Sequence, residues 1–196
     1  GHGHLLALEI FYRAGGMAAV CPILDDALML HKSAAGSTLR EREPGMTAQL
    51  LKTYPIAAGD VLIDISNSGR NTAPVELALA ARERGAYVIA LTSMRHSGAV
   101  TPRNPEGKRL FEVADLVIDN GGILGDASWQ AADGRFVGPT STAVGAAILQ
   151  AIVCRVKELS LEKGWNADSF CSSNVVRGDE INEALIGRYG DIPGLK

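Results

Sequence analysis

The sequence predicts an α/β protein, and three observations carry that expectation. The apolar period switches repeatedly between helical spacing and short strand-like runs. Glycine is abundant, at 22 residues, while aromatic residues make up only 5%, a balance foreign to an all-β sandwich. The clearest strand-like runs show little alternation, as expected of strands covered on both faces of a parallel sheet. The 196 residues, 46% of them hydrophobic, suffice for one core, so a single domain over residues 1–196 is expected.

Taken in order, the residues from His4 to Ala14 place Leu5, Leu8, Ile10, Phe11 and Tyr12 at helical spacing before Gly15-Gly16, which ends the helix. Ala18 to Leu24 reads as a strand, Asp25 to His31 as a brief helix, and the charged stretch Lys32 to Pro44 as an exposed loop. Met46 to Tyr54 regains an amphipathic period. Gly59-Asp60 then turns the chain into the strand Val61-Leu62-Ile63-Asp64-Ile65. After the polar turn Ser66 to Asn71, Thr72 caps a helix running to Arg84 and closed by Gly85, and Tyr87 to Leu91 is the next strand. Strand, turn, helix and strand make a right-handed crossover unit. Ser93 to Lys108 reads as a loop, Leu116-Val117-Ile118 as a strand, and Asp133-Gly134 as the tip of a hairpin. Thr140 to Lys163 forms a long Ala-rich helix, and Asp179 to Arg188 the last one.

Charge and cysteine content narrow the function. With 19 Lys+Arg against 22 Asp+Glu, the net charge of -3 provides no broad positive field for nucleic acid. No apolar run approaches the roughly 18 residues of a membrane span, and no secretory n-region opens the chain, so the expected setting is cytoplasmic. Cys21, Cys154 and Cys171 are odd in number and lack ligand spacing, which points away from a disulfide framework and from a metal site.

The stretch Ser66-Asn67-Ser68-Gly69-Arg70-Asn71-Thr72 lies between a buried strand and a helix, where unpaired N–H groups and the positive end of the helix dipole converge. Hydroxyls add donors, Gly69 permits close backbone approach, and Arg70 offers a charge-assisted contact. The pattern is neither a Walker loop nor G-x-G-x-x-G, which favours a phosphate monoester over a nucleotide. The plainer alternative is an ordinary capped turn.

Four elements together resemble the sugar isomerase (SIS) domain: Gly1-His2-Gly3-His4, Ile65 to Asn71, Ala90-Leu91-Thr92-Ser93 and Ala114-Asp115-Leu116-Val117-Ile118. The likeness covers nearly the whole chain. It is greatest to small single-domain SIS proteins of uncertain function, whose Phe11 to Gly16 and Gly138 to Thr142 stretches are similar. The resemblance implies a flavodoxin-like three-layer αβα sandwich with a parallel sheet, binding phosphorylated sugars as a homodimer or homotetramer. Ser66, Ser68 and Thr72 would hold the phosphate. The family pattern has a strand and usually a helix before the first glycine-rich loop, whereas these 196 residues begin inside that loop, so a preceding N-terminal segment is expected in the natural protein; Gly3 stands where related proteins commonly have serine.

Isomerisation and β-elimination share removal of the proton at C2 of an open-chain sugar, which needs a carboxylate or His within reach. Glu9 matches the position of a glutamate that SIS isomerases often use, and its alternative is an i,i+4 pair with Arg13. Glu41, in the charged run Arg40-Glu41-Arg42-Glu43, lies where N-acetylmuramic acid 6-phosphate etherase is similar in placing an acid/base glutamate; the alternative is a solvated charge run. Ser68-Gly69-Arg70 also resembles the etherase more than the common isomerases. His31 is a proton-relay candidate or a structural residue. His2, Gly3 and His4 would face the sugar, and Thr140, Ser141 and Thr142 would approach it from the opposite side or serve as a plain cap. Asn174, Asp179 and Glu180 would reach a neighbouring subunit's site. The resulting expectation is a lyase acting on an amino-sugar 6-phosphate without cofactor, because the substrate's carbonyl acidifies C2. Aldose–ketose isomerisation and a non-catalytic sugar phosphate sensor are the alternatives.

Overall fold

In a computed structural model describing residues 1–196, three parallel strands, β1 (Val61–Ile65), β2 (Tyr87–Thr92) and β3 (Leu116–Asp119), pair in the order β1-β2-β3. The expected α/β class and parallel sheet are thereby shown. Leu62 lies opposite Val88 and Asp64 opposite Ala90, so these four side chains share one face, and all are buried. Ile63, Ile65 and Ile89 on the other face are half-buried, a more even alternation than the continuous apolar runs predict.

Parallel pairing demands a crossover between successive strands. The first is α4 (Thr72–Glu83), which packs on β1 and β2 with Val75, Ala78 and Ala81 fully buried. Its small residues let the helix lie close to the strands, and Gly85 ends it at φ +83°, a conformation that suits glycine. The second runs through α5 (Met94–Gly98) and α6 (Leu110–Val113); α6 packs against α4 and β2.

The chain forms two compact units. The first comprises residues 1–3 and 25–145, and holds the sheet, α2 (Ala34–Arg40), α3 (Met46–Thr53) and the hairpin β4 (Ala127–Gln130) and β5 (Phe136–Pro139). The hairpin turns at Asp133-Gly134 as the dipeptide predicts, with Gly134 at φ +83°. The second unit comprises residues 4–24 and 146–196. It includes most of α1 (Gly3–Glu9) and of α7 (Ser141–Glu162), and all of α8 (Gly178–Tyr189). Its core joins Ala18, Phe170, Leu185 and Leu195 with Phe11, Ile186, Tyr189 and Ile192. The side-chain amide of Asn182 donates to the Cys171 carbonyl at 2.9 Å and accepts the Cys171 N–H at 2.8 Å, docking α8 on the preceding loop.

Several sequence expectations are corrected. The first helix ends at Glu9 rather than Ala14, because Tyr12 takes φ +27° and turns its ring edge-on to Phe170 at 4.9 Å. Residues 18–24 form no strand: the antiparallel bridge of Met17 to Ser169 lies just before them, the Ala18 N–H donates to the Asp168 carbonyl at 2.9 Å, and Pro22 has no N–H to extend the pairing. The charged loop contains α2, whose N-terminus is capped by the Ser33 hydroxyl accepting the Gly36 N–H at 3.1 Å. Ser93 caps α5 in the same way, accepting the His96 N–H at 3.1 Å, inside the stretch expected to be all loop. The brief helix near Asp25 shortens to one 3-10 turn, Asp26–Leu28.

Leu110 is fully buried, and its N–H donates to the Gly69 carbonyl at 2.8 Å. Leu110→Ala should lower the unfolding free energy by about 2–4 kcal/mol, measured by urea denaturation, because the site cannot collapse around the lost side chain.

Candidate functional site

The loop from Ser66 to Asn71 leaves the C-terminal end of β1, and its carbonyls are taken by the protein. The Asn67 carbonyl accepts the Ser93 N–H at 3.1 Å and the Thr92 hydroxyl at 3.2 Å. Gly69 is held by Leu110, and the Arg70 carbonyl accepts the Arg103 N–H at 2.7 Å and the Asn104 amide at 3.0 Å. Asn120 Nδ2 donates to Asn67 Oδ1 at 2.9 Å, fixing that side chain as well. The N–H groups of Asn67, Ser68 and Arg70 meet no acceptor within the chain, and the half-buried Ser68 hydroxyl has no partner. With Gly69 at φ +57°, successive amides around a left-handed residue form a concavity suited to an anion. A Cβ on Gly69 would stand 2.9 Å from Ser97 Oγ and 3.2 Å from Leu110 Cβ, so glycine is required twice over.

The remaining hydroxyls and amides of the loop are more committed. Ser66 Oγ accepts the Gly69 N–H at 3.2 Å and keeps its own hydrogen for a ligand. Thr72 is not the cap of α4 but its first residue; Asn71 is the N-cap, with no side-chain bond to the helix. The Thr72 hydroxyl is buried and donates toward the Arg42 carbonyl at 2.8 Å and the Arg103 carbonyl at 3.3 Å. The free end of α4 is met by a backbone carbonyl, that of Glu41, which accepts the Ala73 N–H at 3.0 Å. Arg70 Nη2 donates to Thr101 Oγ1 at 3.2 Å, and its Nε is buried without a partner.

Of the proposed acids, Glu41 lies against this loop. Asn71 Nδ2 donates to Glu41 Oε1 at 3.0 Å, and the glutamate caps the C-terminus of α2. Glu9 belongs to the second unit, where it pairs with Arg13 as i,i+4 spacing predicts and accepts Gln150 Nε2 at 3.1 Å. His31 is exposed, His2 is exposed and His4 is buried. A Cβ on Gly3 would sit 3.0 Å from the Ile65 carbonyl at the end of β1. Thr140 and Ser141 are bound by Asp126, which accepts both N–H groups, at 3.1 and 2.9 Å, and both hydroxyls, at 3.3 and 2.5 Å. Thr142 is half-buried in the first turn of α7. Glu180 accepts two bonds from Arg177 at 2.8 and 2.9 Å.

Sequence reasoning missed Asp64. It is buried on β1 with Oδ2 unpartnered, and burial, reinforced by the charge of Glu41, pushes its carboxyl up to about 8. An acidic residue inside an apolar strand was the available signal. His96, on α5, is also missed: burial lowers its pKa, Asp126 opposing and Arg70 adding to the effect, and its Nδ1 has no partner. Nothing in the sequence marks it.

A family model described as SIS domain matches residues 1–93, a span that includes the loop and Glu41. The chain is 43% identical over 192 residues to a UPF0309 protein of Listeria innocua, covering 97% of this chain and 78% of that protein. It is 44% identical over 190 residues to one of Halalkalibacterium halodurans, covering 96% and 78%. With one of Geobacillus thermodenitrificans the identity is 42% over 198 residues, covering 100% and 79%.

Asp64 gives a pH signature. Its unfolded carboxyl ionises near 3.8 and its folded one near 8, so between those values the folded state holds the extra proton and stability falls as pH rises. Denaturant titrations from about pH 4 to 8 should show that slope in the native chain and a flatter profile in Asp64→Asn. Equal slopes in the two would mean that Asp64 ionises normally.

Proposed function

We propose, on the footing that the chain belongs to the UPF0309 family and carries an SIS domain, that it binds an amino-sugar 6-phosphate and eliminates the substituent at C3. The phosphate oxygens would accept from the N–H groups of Asn67, Ser68 and Arg70 and from the hydroxyls of Ser66 and Ser68. These groups are free within the chain and converge on one turn. Thr72 contributes by holding the turn, since its hydroxyl is spent on backbone.

The observation that carries the catalytic part is the hydrogen bond from Asn71 to Glu41. It ties a carboxylate to the end of the phosphate loop within one compact unit, whereas Glu9 is occupied by Arg13 and Gln150 in the other. In the proposed reaction Glu41 takes the proton from C2, which the open-chain C1 carbonyl acidifies. The C2–H electron pair becomes the C2=C3 bond, the C3–O bond breaks with its electrons, and the proton on Glu41 passes to the departing oxygen. Asp64 supports this assignment. Burial keeps Asp64 largely protonated at neutral pH, so it places no full negative charge beside Glu41.

Incubation with glucosamine 6-phosphate and its N-acetyl form in D2O, followed by NMR, tests the reading. Deuterium at C2 of recovered substrate, together with a product carrying a C2=C3 olefin, is the expected result. A ketose product would replace elimination with isomerisation, and tight binding without exchange would leave a sensor. Glu41→Gln should slow C2 exchange by about 100-fold or more. Calorimetry on Ser68→Ala should show phosphate ester binding weakened by about tenfold, the worth of one hydrogen bond to a charged group.

A further inference from the structure

We infer that Arg42, Arg70 and Arg103 form a binding site for a second anionic group, a carboxylate or a phosphate, carried by the same ligand whose phosphate the Ser66–Asn71 loop holds. The inference rests on the phosphosugar reading of that loop and narrows its substrate class to sugars charged at two positions.

The backbone brings the three arginines together. The Thr72 hydroxyl donates to the carbonyls of both Arg42 and Arg103, the Arg103 N–H donates to the Arg70 carbonyl at 2.7 Å, and residues 71 and 103 form a parallel bridge. Arg70 is itself a loop residue, so the cluster adjoins the free amides. Arg42 and Arg103 are exposed, and neither meets a carboxylate.

Most arginines of this chain do meet a carboxylate, Arg84 and Arg95 being the others that do not. The chain carries more acids than bases, and Arg13, Arg40, Arg82, Arg109 and Arg188 each find a carboxylate. Next to the cluster, Arg40 pairs with Glu43 at 2.9 Å, while Glu41 turns to Asn71. Glu43 and Glu41 are thus engaged elsewhere, and the three guanidiniums are left without a carboxylate. Their repulsion shows in Arg103, whose pKa is lowered by Arg70 first and by Arg42 second, with no carboxylate to offset them. Holding like charges together is unfavourable until an anion joins them, and a planar guanidinium is suited to carboxylate or phosphate oxygens in pairs.

Calorimetry with glucose 6-phosphate, 6-phosphogluconate and fructose 1,6-bisphosphate tests this, in the native chain and in the double variant Arg42→Gln, Arg103→Gln. At least one doubly charged sugar should bind about tenfold tighter than glucose 6-phosphate, as expected of charge-assisted contacts. Which one gains identifies a carboxylate or a phosphate as the second group. The double variant should cut that advantage below about twofold and leave glucose 6-phosphate affinity in place, since its phosphate is held by the loop. Thermal melting checks that the variant is folded. Equal affinity for the single and double anions, or an advantage that survives the double variant, overturns the inference while the loop reading stands. Failure of every sugar ester to bind removes both.

Discussion

The site depends on how the carbonyls of one short loop are occupied. Asn67, Gly69 and Arg70 each direct a C=O toward the protein, where Ser93 and Thr92, Leu110, and Arg103 with Asn104 receive them. A peptide plane whose oxygen is anchored on one side presents its neighbouring N–H on the other. The outward amides of Ser68 and Arg70 therefore follow from inward bonding of the Asn67 and Gly69 carbonyls to Thr92, Ser93 and Leu110. The left-handed turn at Gly69 then gathers them, and the contact with Leu110 and Ser97 prevents any larger residue from replacing it. Anion recognition here is a property of packing behind the loop as much as of the residues in it.

The part of the fold that builds this arrangement was the most legible in the sequence. Val61 to Ile65, the helix after Thr72 and the strand from Tyr87 carry strong apolar periodicity and glycine stops, and the structure reproduces them within a residue or so. Short capped helices were not legible. Ser33 and Ser93 start helices of seven and five residues, too brief for a period to register and surrounded by charged or turn-forming residues. The expected strand at 18–24 failed because apolar content alone does not supply a partner, and the one bridge nearby forms at Met17, before the segment.

Within the site, the sequence marked residue types but not their obligations. Thr72, Thr140 and Ser141 bear hydroxyls in suggestive places, and all three are engaged by carbonyls or by Asp126. Ser68 bears an identical group and is free. The difference arises from contacts some 14 to 31 residues away along the chain, which no local pattern reports. Asp64 makes the same point in reverse. Its carboxyl was unremarked in a strand, yet burial, reinforced by the charge of Glu41, keeps it largely protonated at neutral pH.

Gly3 links the opening of the chain to the sheet. Its Cα lies so near the last carbonyl of β1 that even a methyl group would press against Ile65 at 3.0 Å. A serine at this position would add a hydroxyl only if that strand end withdrew by a few tenths of an ångström. Such a retreat would carry Ser66 with it, because the two residues are consecutive. Grafting a lone hydroxyl at this position would therefore shift the rim of the sheet and disturb the turn beside it.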